Sequence, residues 1–253
     1  MAALPAKYTA EKVSMELKLD LHIHSERSPD GVMALEEIVS LAKARGLDGA
    51  AVCDHDLALV DPPEFGDFLL IPGVEVSTQL GHLLGLFVTG PVGTRDFFQA
   101  VEMIHSQGGL AVLAHPFEHS RDGARLAPAV PLLDGIEVWN SRADRKLHDA
   151  NRLAASFAQV CRLPAFGGSD AHRPQEVGNG FTVVEAEART LAAAKAALRT
   201  GTARAQGRRS RAWYAARSQL TKRRKTGAKP LGYVKWAAFA AKCCAQDIFW
   251  RGD

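Results

Sequence analysis

Leu19, Leu21 and Ile23 alternate with Asp20, His22 and His24, a period of two that predicts a strand with one apolar and one polar face. Alternate strand side chains share a face, so the carboxylate and the two imidazoles point the same way. Ala34–Arg45 then places Leu35, Ile38, Leu41 and Ala42 at helical spacing and stops at Gly46. Short apolar runs predict strands over Ala50–Cys53, Phe68–Ile71, Val74–Val76, His82–Val88, Leu110–Ala114, Gly135–Trp139, Ala165–Gly168 and Phe181–Val184. Between them, Thr94–Ser106, Arg142–Val160 and the stretch around Thr190–Arg199 read as helices. Alternating strand and helix signals are the pattern of a parallel α/β fold.

Composition narrows this. The chain has 253 residues, 47% of them hydrophobic, enough for one large α/β core with an appendage. No apolar run reaches the roughly 18–20 residues of a membrane span, and Met1–Lys18 lacks the apolar core of a signal peptide. Cys53, Cys161, Cys243 and Cys244 show no metal-type spacing, which with the other absences points to a reducing, cytoplasmic setting. The net charge of +3 hides a split. Residues 1–187 carry 15 basic and 26 acidic side chains, net −11, whereas residues 188–253 carry 16 and 2, net +14. An acidic body suits cation binding and a basic tail suits a polyanion. A boundary is expected near Gly201, dividing a lead-in (1–16), a body (17–200) and a basic, mainly helical extension (201–253).

The polar residues gather at one kind of place. His24, His55, His115 and the pair Asp170 and His172 fall at or just past the C-terminal ends of predicted strands. In barrels of alternating strands and helices, chemistry is assembled at that end. His105, His119 and His148 fall elsewhere and read as solvated or packing residues. Asp20 and Asp54 each precede a histidine and read as partners that orient an imidazole or hold a loop. The pair Gly167 and Gly168 reads as a place of close backbone approach.

The segments DLHIHS (20–25), SPDG (28–31), CDH (53–55), GVEVS (73–77), GHLLGLF (81–87), AHP (114–116) and GGSDAH (167–172) together resemble the PHP (polymerase and histidinol phosphatase) hydrolases across about residues 17–200. The resemblance implies a distorted (βα)7 TIM-like barrel with two to three divalent ions, Zn, Mn or Fe, at its C-terminal mouth. It assigns His22, His24, Glu75 and Asp170 to a first ion. Glu75 bridges to a second held by His82 and His115, and Asp30, His55 and His172 take a third. Imidazole and carboxylate donors suit these ions. The implied activity is hydrolysis of a phosphate ester by a hydroxide bridging two metals, with Glu75, Asp170 and His172 in the chemistry. The substrate is expected to be a small phosphorylated metabolite or nucleotide, with Arg27, Arg173 and Asn140 as candidate contacts. The amidohydrolases also begin with HxH, but no lysine stands at a later strand end here to carry a carbamate, and no P-loop is present.

From Arg199 to Lys242 the chain carries thirteen Lys and Arg and no carboxylate, interspersed with Trp213, Tyr214, Tyr233 and Trp236. Three readings stay open for it. It tracks a nucleic acid, making the protein a nuclease acting on RNA or DNA ends. It lies on anionic lipid through Trp236, Phe239, Ile248, Phe249 and Trp250. Or it packs its aromatics on the body and leaves a solvated basic face. A non-enzymatic binding protein with a vestigial barrel is the remaining class, and the full set of nine candidate ligands weighs against it.

Overall fold

The computed structural model describes residues 14–200 and 202–249. Most of the expected lead-in, the boundary residue Gly201, and Trp250 lie outside them. Nine strands, β1 (Met15–Ile23), β2 (Gly49–Val52), β3 (Leu69–Thr78), β4 (Gly81–Leu86), β5 (Leu110–Leu113), β6 (Gly135–Asn140), β7 (Ala165–Gly168), β8 (Gly180–Ala186) and β9 (Arg204–Gly207), form one sheet in the order β7-β6-β5-β4-β3-β2-β1-β8-β9. The helices are α1 (Leu35–Ala44), α2 (Phe97–Ser106), α3 (Ala150–Cys161), α4 (Leu191–Thr200), α5 (Ala212–Thr226) and α6 (Pro230–Phe249). Beyond β7, Ala171 pairs in parallel with Ile23, and the amide of His24 donates to its carbonyl at 2.8 Å. The ring of a distorted barrel is thereby nearly closed between β7 and β1.

The alternation expected from the sequence breaks twice. Phe68–Ile71 and Val74–Val76 are one strand, because Pro72 stands where β3 changes partner. Its N-terminal half pairs in parallel with β2 as far as Pro72, and its C-terminal half pairs antiparallel with β4 from Gly73 onward. A proline, lacking an N–H, fits that changeover. β4 then returns directly through a tight turn at Thr78–Gly81, so its first residues lie at the same mouth as the C-terminal ends of the parallel strands. The long helix expected over Arg142–Val160 is also divided. The Asn140 side chain accepts from the Arg142 amide and the Asp144 carboxylate accepts from the Asn151 amide, both at 2.9 Å, so side chains take backbone donors a continuous helix would use. What forms is a single 3₁₀ turn, Ala143–Arg145, followed by α3.

β1 carries the division on which the site depends. Leu17, Leu19 and Leu21 join a core cluster with Ala194, Ala197 and Leu198 of α4. Asp20, His22 and His24, on the other face, are 0% exposed, so the polar face is buried too. The sheet also runs past the boundary expected at Gly201, since β9 pairs antiparallel with β8. Its sequence, RAQG, has one apolar side chain and gives no strand signal; Arg204 is exposed on this edge strand, where a charge discourages further pairing.

The helical part of the basic region is a hairpin. Ala212 and Ala216 of α5 pack against Ala240 and Cys243 of α6, with Trp213, Trp236 and Phe239 around them. Trp236, Phe239, Ala240 and Cys243 share one helical stripe, turned toward α5, and the Trp236 indole donates to the Ala216 carbonyl at 2.8 Å. Of the residues expected to face lipid, Trp236 and Phe239 pack in the hairpin instead, Phe239 also lying beside Arg145, while Ile248 and Phe249 stay exposed. Asp247 accepts from the Ala212 and Trp213 amides at 2.7 and 3.0 Å and so caps α5 from the far end of α6. Among the described residues no helix is long and apolar enough to cross a membrane.

One lysine fastens the hairpin to the barrel. Lys225 Nζ donates to the carbonyls of Glu26, Ser28 and Gly31 at 2.7, 2.9 and 2.9 Å, gripping the loop that carries Asp30. A hydrogen bond to a charged group is worth about 1.5–3 kcal/mol where it is protected from water, and this one is partly exposed. Lys225→Met is expected to lower the melting temperature modestly. In hydrogen-exchange measurements it should speed exchange severalfold at the Glu26 and Ser28 amides while leaving β5 and β6 protected.

Candidate metal centre

Every strand end at the barrel mouth delivers a polar side chain. β1 supplies His22 and, just beyond its end, His24; the turn after it supplies Asp30; the loop after β2 supplies His55; β3 supplies Glu75. β4, being antiparallel, brings His82 to the mouth as its second residue, and the ends of β5 and β7 lead into His115 and into Asp170 and His172. All nine converge. Glu75 stands at the centre, with His82 Nδ1 at 2.6 Å and His115 Nε2 at 3.1 Å from one carboxylate oxygen. His55 Nδ1 at 2.7 Å and His24 Nε2 at 3.4 Å flank the other. His24 Nε2 is also 3.3 Å from Asp170 Oδ1, and His55 and His172 approach Asp30 Oδ1 through Nε2 at 3.6 and 3.4 Å.

The imidazoles are oriented from behind. Nδ1 of His22 meets Glu137 Oε1 at 3.0 Å, Nδ1 of His24 meets Ser28 Oγ at 3.2 Å, and Nδ1 of His172 meets the Asp170 carbonyl at 2.9 Å. With the proton on Nδ1, where an oxygen accepts it, Nε2 of each ring presents a lone pair inward. Nε2 of His22 and Nε2 of His24 then face one another at 3.1 Å. Two lone pairs at that distance repel unless a cation lies between them. Donors about 2.0–2.2 Å from one ion in a tetrahedral array lie about 3.3–3.6 Å apart, the range of the His24–Glu75, His24–Asp170, His55–Asp30 and His172–Asp30 contacts. Asp30 Oδ1 and Glu75 Oε2 are buried and accept no hydrogen bond, although imidazole nitrogens stand beside both. Three sets of ligand atoms lie close enough to share an ion: His22, His24 and Asp170; His22, Glu75 and His115; His24, His55 and His172. The donor set and its orphaned oxygens fit divalent metal ions.

The electrostatics show the excess of buried carboxylate that a cation would answer. Against burial, Glu137, Asp170 and Glu75 hold His22 well above the ordinary histidine range, and Glu75 with its neighbours pushes His55 up to about 11 and His115 up to about 9. Burial pushes the Glu75 carboxyl up, but His82, His55 and His22 around it outweigh that and hold it well below the usual carboxylate range. Burial, joined by His172 and His55, holds His24 well below the ordinary histidine range, keeping it neutral and able to donate its lone pair. His115 and Asp170 adopt left-handed backbone, φ 24° and 53°. That conformation costs a non-glycine residue about 1 kcal/mol or more, and here it aims two side chains at the mouth. Gly168 is needed for close approach: a Cβ there would stand 2.5 Å from His22 Cβ and 2.8 Å from Glu137 Oε1.

Asp20 and Asp54 support the cage without facing it. Asp20 accepts from the Ser169 and Gly178 amides at 2.9 and 2.8 Å, fixing the segment that carries Asp170, and burial pushes its carboxyl up to about 6. Asp54 accepts from the Ser25 amide and hydroxyl at 2.7 and 2.6 Å. Glu137 of β6 binds His22 on one oxygen and accepts from the His115 amide and the Asn140 side chain on the other.

Above the cage lies a cleft of about 460 Å3, walled opposite by α5 and by Phe239 of α6. Arg27, Arg173 and Asn140 are not among its lining residues. Arg27 donates to the Ala58 carbonyl at 3.3 Å, and Asn140 is buried with its amide committed to Glu137 and Arg142. Arg173 lies partly buried near Arg217 and Glu176. The basic residues that do line the cleft are Arg142, Arg145, Lys146, Lys222 and Arg223. Arg142, hidden in the sequence as a presumed helix start, is fixed by Glu176 through both Nε and Nη2, with Ser218 Oγ at 3.0 Å.

A family model described as PHP-associated matches residues 148–203. An uncharacterised protein of Methanocaldococcus jannaschii, MJ1587, is 32% identical over 145 residues, covering 49% of this chain and 82% of that protein. A 5'-3' exoribonuclease of Haemophilus influenzae is 42% identical over 81 residues, 28% of this chain and 29% of that one. Among solved structures, a two-domain protein of Bacteroides vulgatus containing a predicted PHP-like metal-dependent phosphoesterase superposes with a TM-score of 0.60 at 21% identity, covering 82% of this chain and 70% of that one. Endonuclease Q bound to a 27-mer duplex with an abasic lesion superposes with a TM-score of 0.54 at 20% identity, covering 78% and 61%. Since a ligand's hydrogen-bond partner commonly contributes 10–100-fold to metal affinity, Glu137→Gln is expected to weaken Mn2+ or Zn2+ binding by about that factor in a competition titration with a chelating dye, without unfolding the barrel.

Proposed function

The chain belongs to the PHP (polymerase and histidinol phosphatase) family, and we propose on that premise that it is a metal-dependent phosphoesterase working at the mouth of its barrel. The observation that carries the reading is the convergence of nine imidazole and carboxylate side chains, three sets of which lie close enough to share an ion, with His22 and His24 nitrogens facing one another and Asp30 Oδ1 and Glu75 Oε2 buried without a hydrogen-bond partner. His22, His24, Glu75 and Asp170 would hold one ion, Glu75, His82 and His115 a second, and Asp30, His55 and His172 a third. His24 also lies with His55 and His172, so it stands between the first and third positions. Zn, Mn and Fe(II) all suit the donors. Divalent ions held there supply Lewis acidity, which makes a water nucleophilic near pH 7 and draws charge from a phosphoryl group.

The remaining work falls to side chains of this protein. Glu75, Asp170 and His172 border the cleft and stand next to any reacting phosphoryl group. Arg142 presents a guanidinium locked by Glu176, a pre-organised charge for phosphate oxygens. Glu118 lies 3.6 Å from His115 Nδ1 and 3.1 Å from Lys146 Nζ, so it orients a ligand and fixes a cleft lysine together.

A second reading, a nuclease acting on RNA or DNA ends, is favoured by Lys222 and Arg223, which bring the basic hairpin into the same cleft. The fold shared with endonuclease Q and the identity to an exoribonuclease over 81 residues are consistent with it. The test is elemental analysis of the full chain followed by hydrolysis of p-nitrophenyl phosphate, bis-p-nitrophenyl phosphate and short RNAs with Mn2+, Zn2+ or Fe2+. Chelation should abolish turnover and metal addition restore it, and His24→Ala should lose metal and at least 100-fold in kcat/KM while keeping its circular dichroism. A protein that takes up no metal and hydrolyses none of these substrates would refute the reading.

A further inference from the structure

α6 has three sides, and the fold uses two of them. Trp236, Ala240 and Cys243 pack on α5. Phe239 and Gln246 turn to the barrel: the Phe239 ring centre lies 5.4 Å from the guanidinium carbon of Arg145, and the Gln246 side chain donates to the Arg145 carbonyl at 3.1 Å. The third side carries Leu231, Val234, Ala238, Ala241, Ala245 and Ile248, spaced alternately by three and four residues and so aligned along the helix. Leu231, Val234 and Ile248 are 65, 66 and 66% exposed, and Ala238 and Ala241 between them are exposed too. A surface helix ordinarily turns charged residues to water, and a helix apolar on every side is ordinarily buried. Lys235 and Lys242 border this stripe along one edge only.

The order of side-chain sizes along the stripe identifies its partner. Reversed end to end, the stripe matches itself: Leu231 falls opposite Ile248, Val234 opposite Ala245 and Ala238 opposite Ala241. A two-fold interface requires such a self-complementary patch. Alanines at the centre let two helices approach closely, and the larger side chains at the ends fill the space where crossing helices diverge. A lipid surface gains little from that alanine centre, because the apolar area it would bury is small. No charge falls within the seam. Under the two-fold axis Lys235 of each copy stands beside Lys242 of the other, with the aliphatic stems along the seam and the ammonium groups in water. A helix face about 30 Å long and about 10 Å wide covers about 300 Å2 on each copy, about 600 Å2 for the pair. A stable interface buries roughly 1,200–2,000 Å2, so this association is weak and reversible.

We propose that the outer side of α6 is an interface between two copies of this chain, which pair through antiparallel α6 helices about a two-fold axis between Ala238 and Ala241. The pairing does not depend on the phosphoesterase reading of the cage. It braces the cleft from behind, since α6 packs on α5 and α5 forms the cleft wall.

The experiment is sedimentation equilibrium of the full chain from low micromolar to several hundred micromolar. A monomer–dimer equilibrium is expected, with a dissociation constant on the order of 10–100 µM. Raising NaCl from about 0.05 to about 0.5 M should tighten it severalfold, because salt screens each Lys235 from the facing Lys242. Ala241→Glu sets two carboxylates against each other near the axis and should weaken the dimer at least tenfold. Lys235→Glu should tighten it severalfold and reverse the salt dependence, since a carboxylate then stands beside Lys242 of the second copy. Val160→Glu, which charges an exposed apolar residue on α3, should match the wild type. Every substituted side chain is exposed, so circular dichroism should stay that of the wild type in all three variants. A chain that stays monomeric at several hundred micromolar overturns the proposal, and so does self-association that Ala241→Glu leaves unchanged. An unreversed salt dependence in Lys235→Glu overturns the antiparallel pairing. Flotation with vesicles of phosphatidylcholine and phosphatidylserine examines the other occupant. Vesicle binding by a monomeric chain, weakened by salt and abolished by Ala241→Glu, would assign the surface to anionic lipid and overturn the dimer.

Discussion

A carboxylate buried among imidazoles sets the terms for this molecule. Glu75 is 1% exposed and has four histidine nitrogens within 3.4 Å. Burying a charge costs several kcal/mol unless it is paired. His82 and His115 hydrogen-bond one Glu75 oxygen, while the other, beside His55 and His24, accepts no hydrogen bond. His22 and His24 make the conflict sharpest, with two ring nitrogens turned toward each other at 3.1 Å. A divalent cation resolves both problems at once: it satisfies the carboxylate and converts facing lone pairs into ligands.

Much of what is irregular in the fold serves that convergence. The antiparallel return of β4 carries His82 to the mouth without a crossover helix. Left-handed backbone at His115 and Asp170 turns two side chains inward. Behind the cage, Glu137 ties β6 to His22 and to the His115 amide, and Asp20 ties β1 to the segment after β7, so neighbouring strand ends hold one another in register. The α5–α6 hairpin belongs to the same design. It forms the far wall of the cleft, and Lys225 binds that wall to the Asp30 loop.

The legible part of the sequence was the part with local signals. Alternation marked β1, short apolar runs marked the other core strands, and the polar residues at their ends marked the mouth. Asp20, two residues before His22 on β1, and Asp54, next to His55 in the loop after β2, read as supports, and both accept from backbone amides that hold the mouth. The sequence was silent where the cause is tertiary. Nothing in RAQG predicts β9, which exists because β8 offers it an edge. Asn140 looked like a substrate contact because it ends β6, but its side chain is consumed in dividing the helix that Arg142 seemed to begin. The basic stretch was legible as charge suited to a polyanion but not as a wall of the cleft, since Lys222 and Arg223 reach the cleft only through the placement of α5. Trp236 and Phe239 looked like a lipid-facing stripe, and that stripe is real, but its partner is α5.

The central claim is that cations complete this cage. It is tested most directly by crystals grown with Mn2+, with diffraction recorded on either side of the manganese absorption edge. Anomalous density is expected about 2.0–2.3 Å from His24 Nε2 and from a Glu75 oxygen. Crystals that show no anomalous signal among these nine side chains, with the imidazoles still facing inward at full Mn2+ concentration, would contradict it.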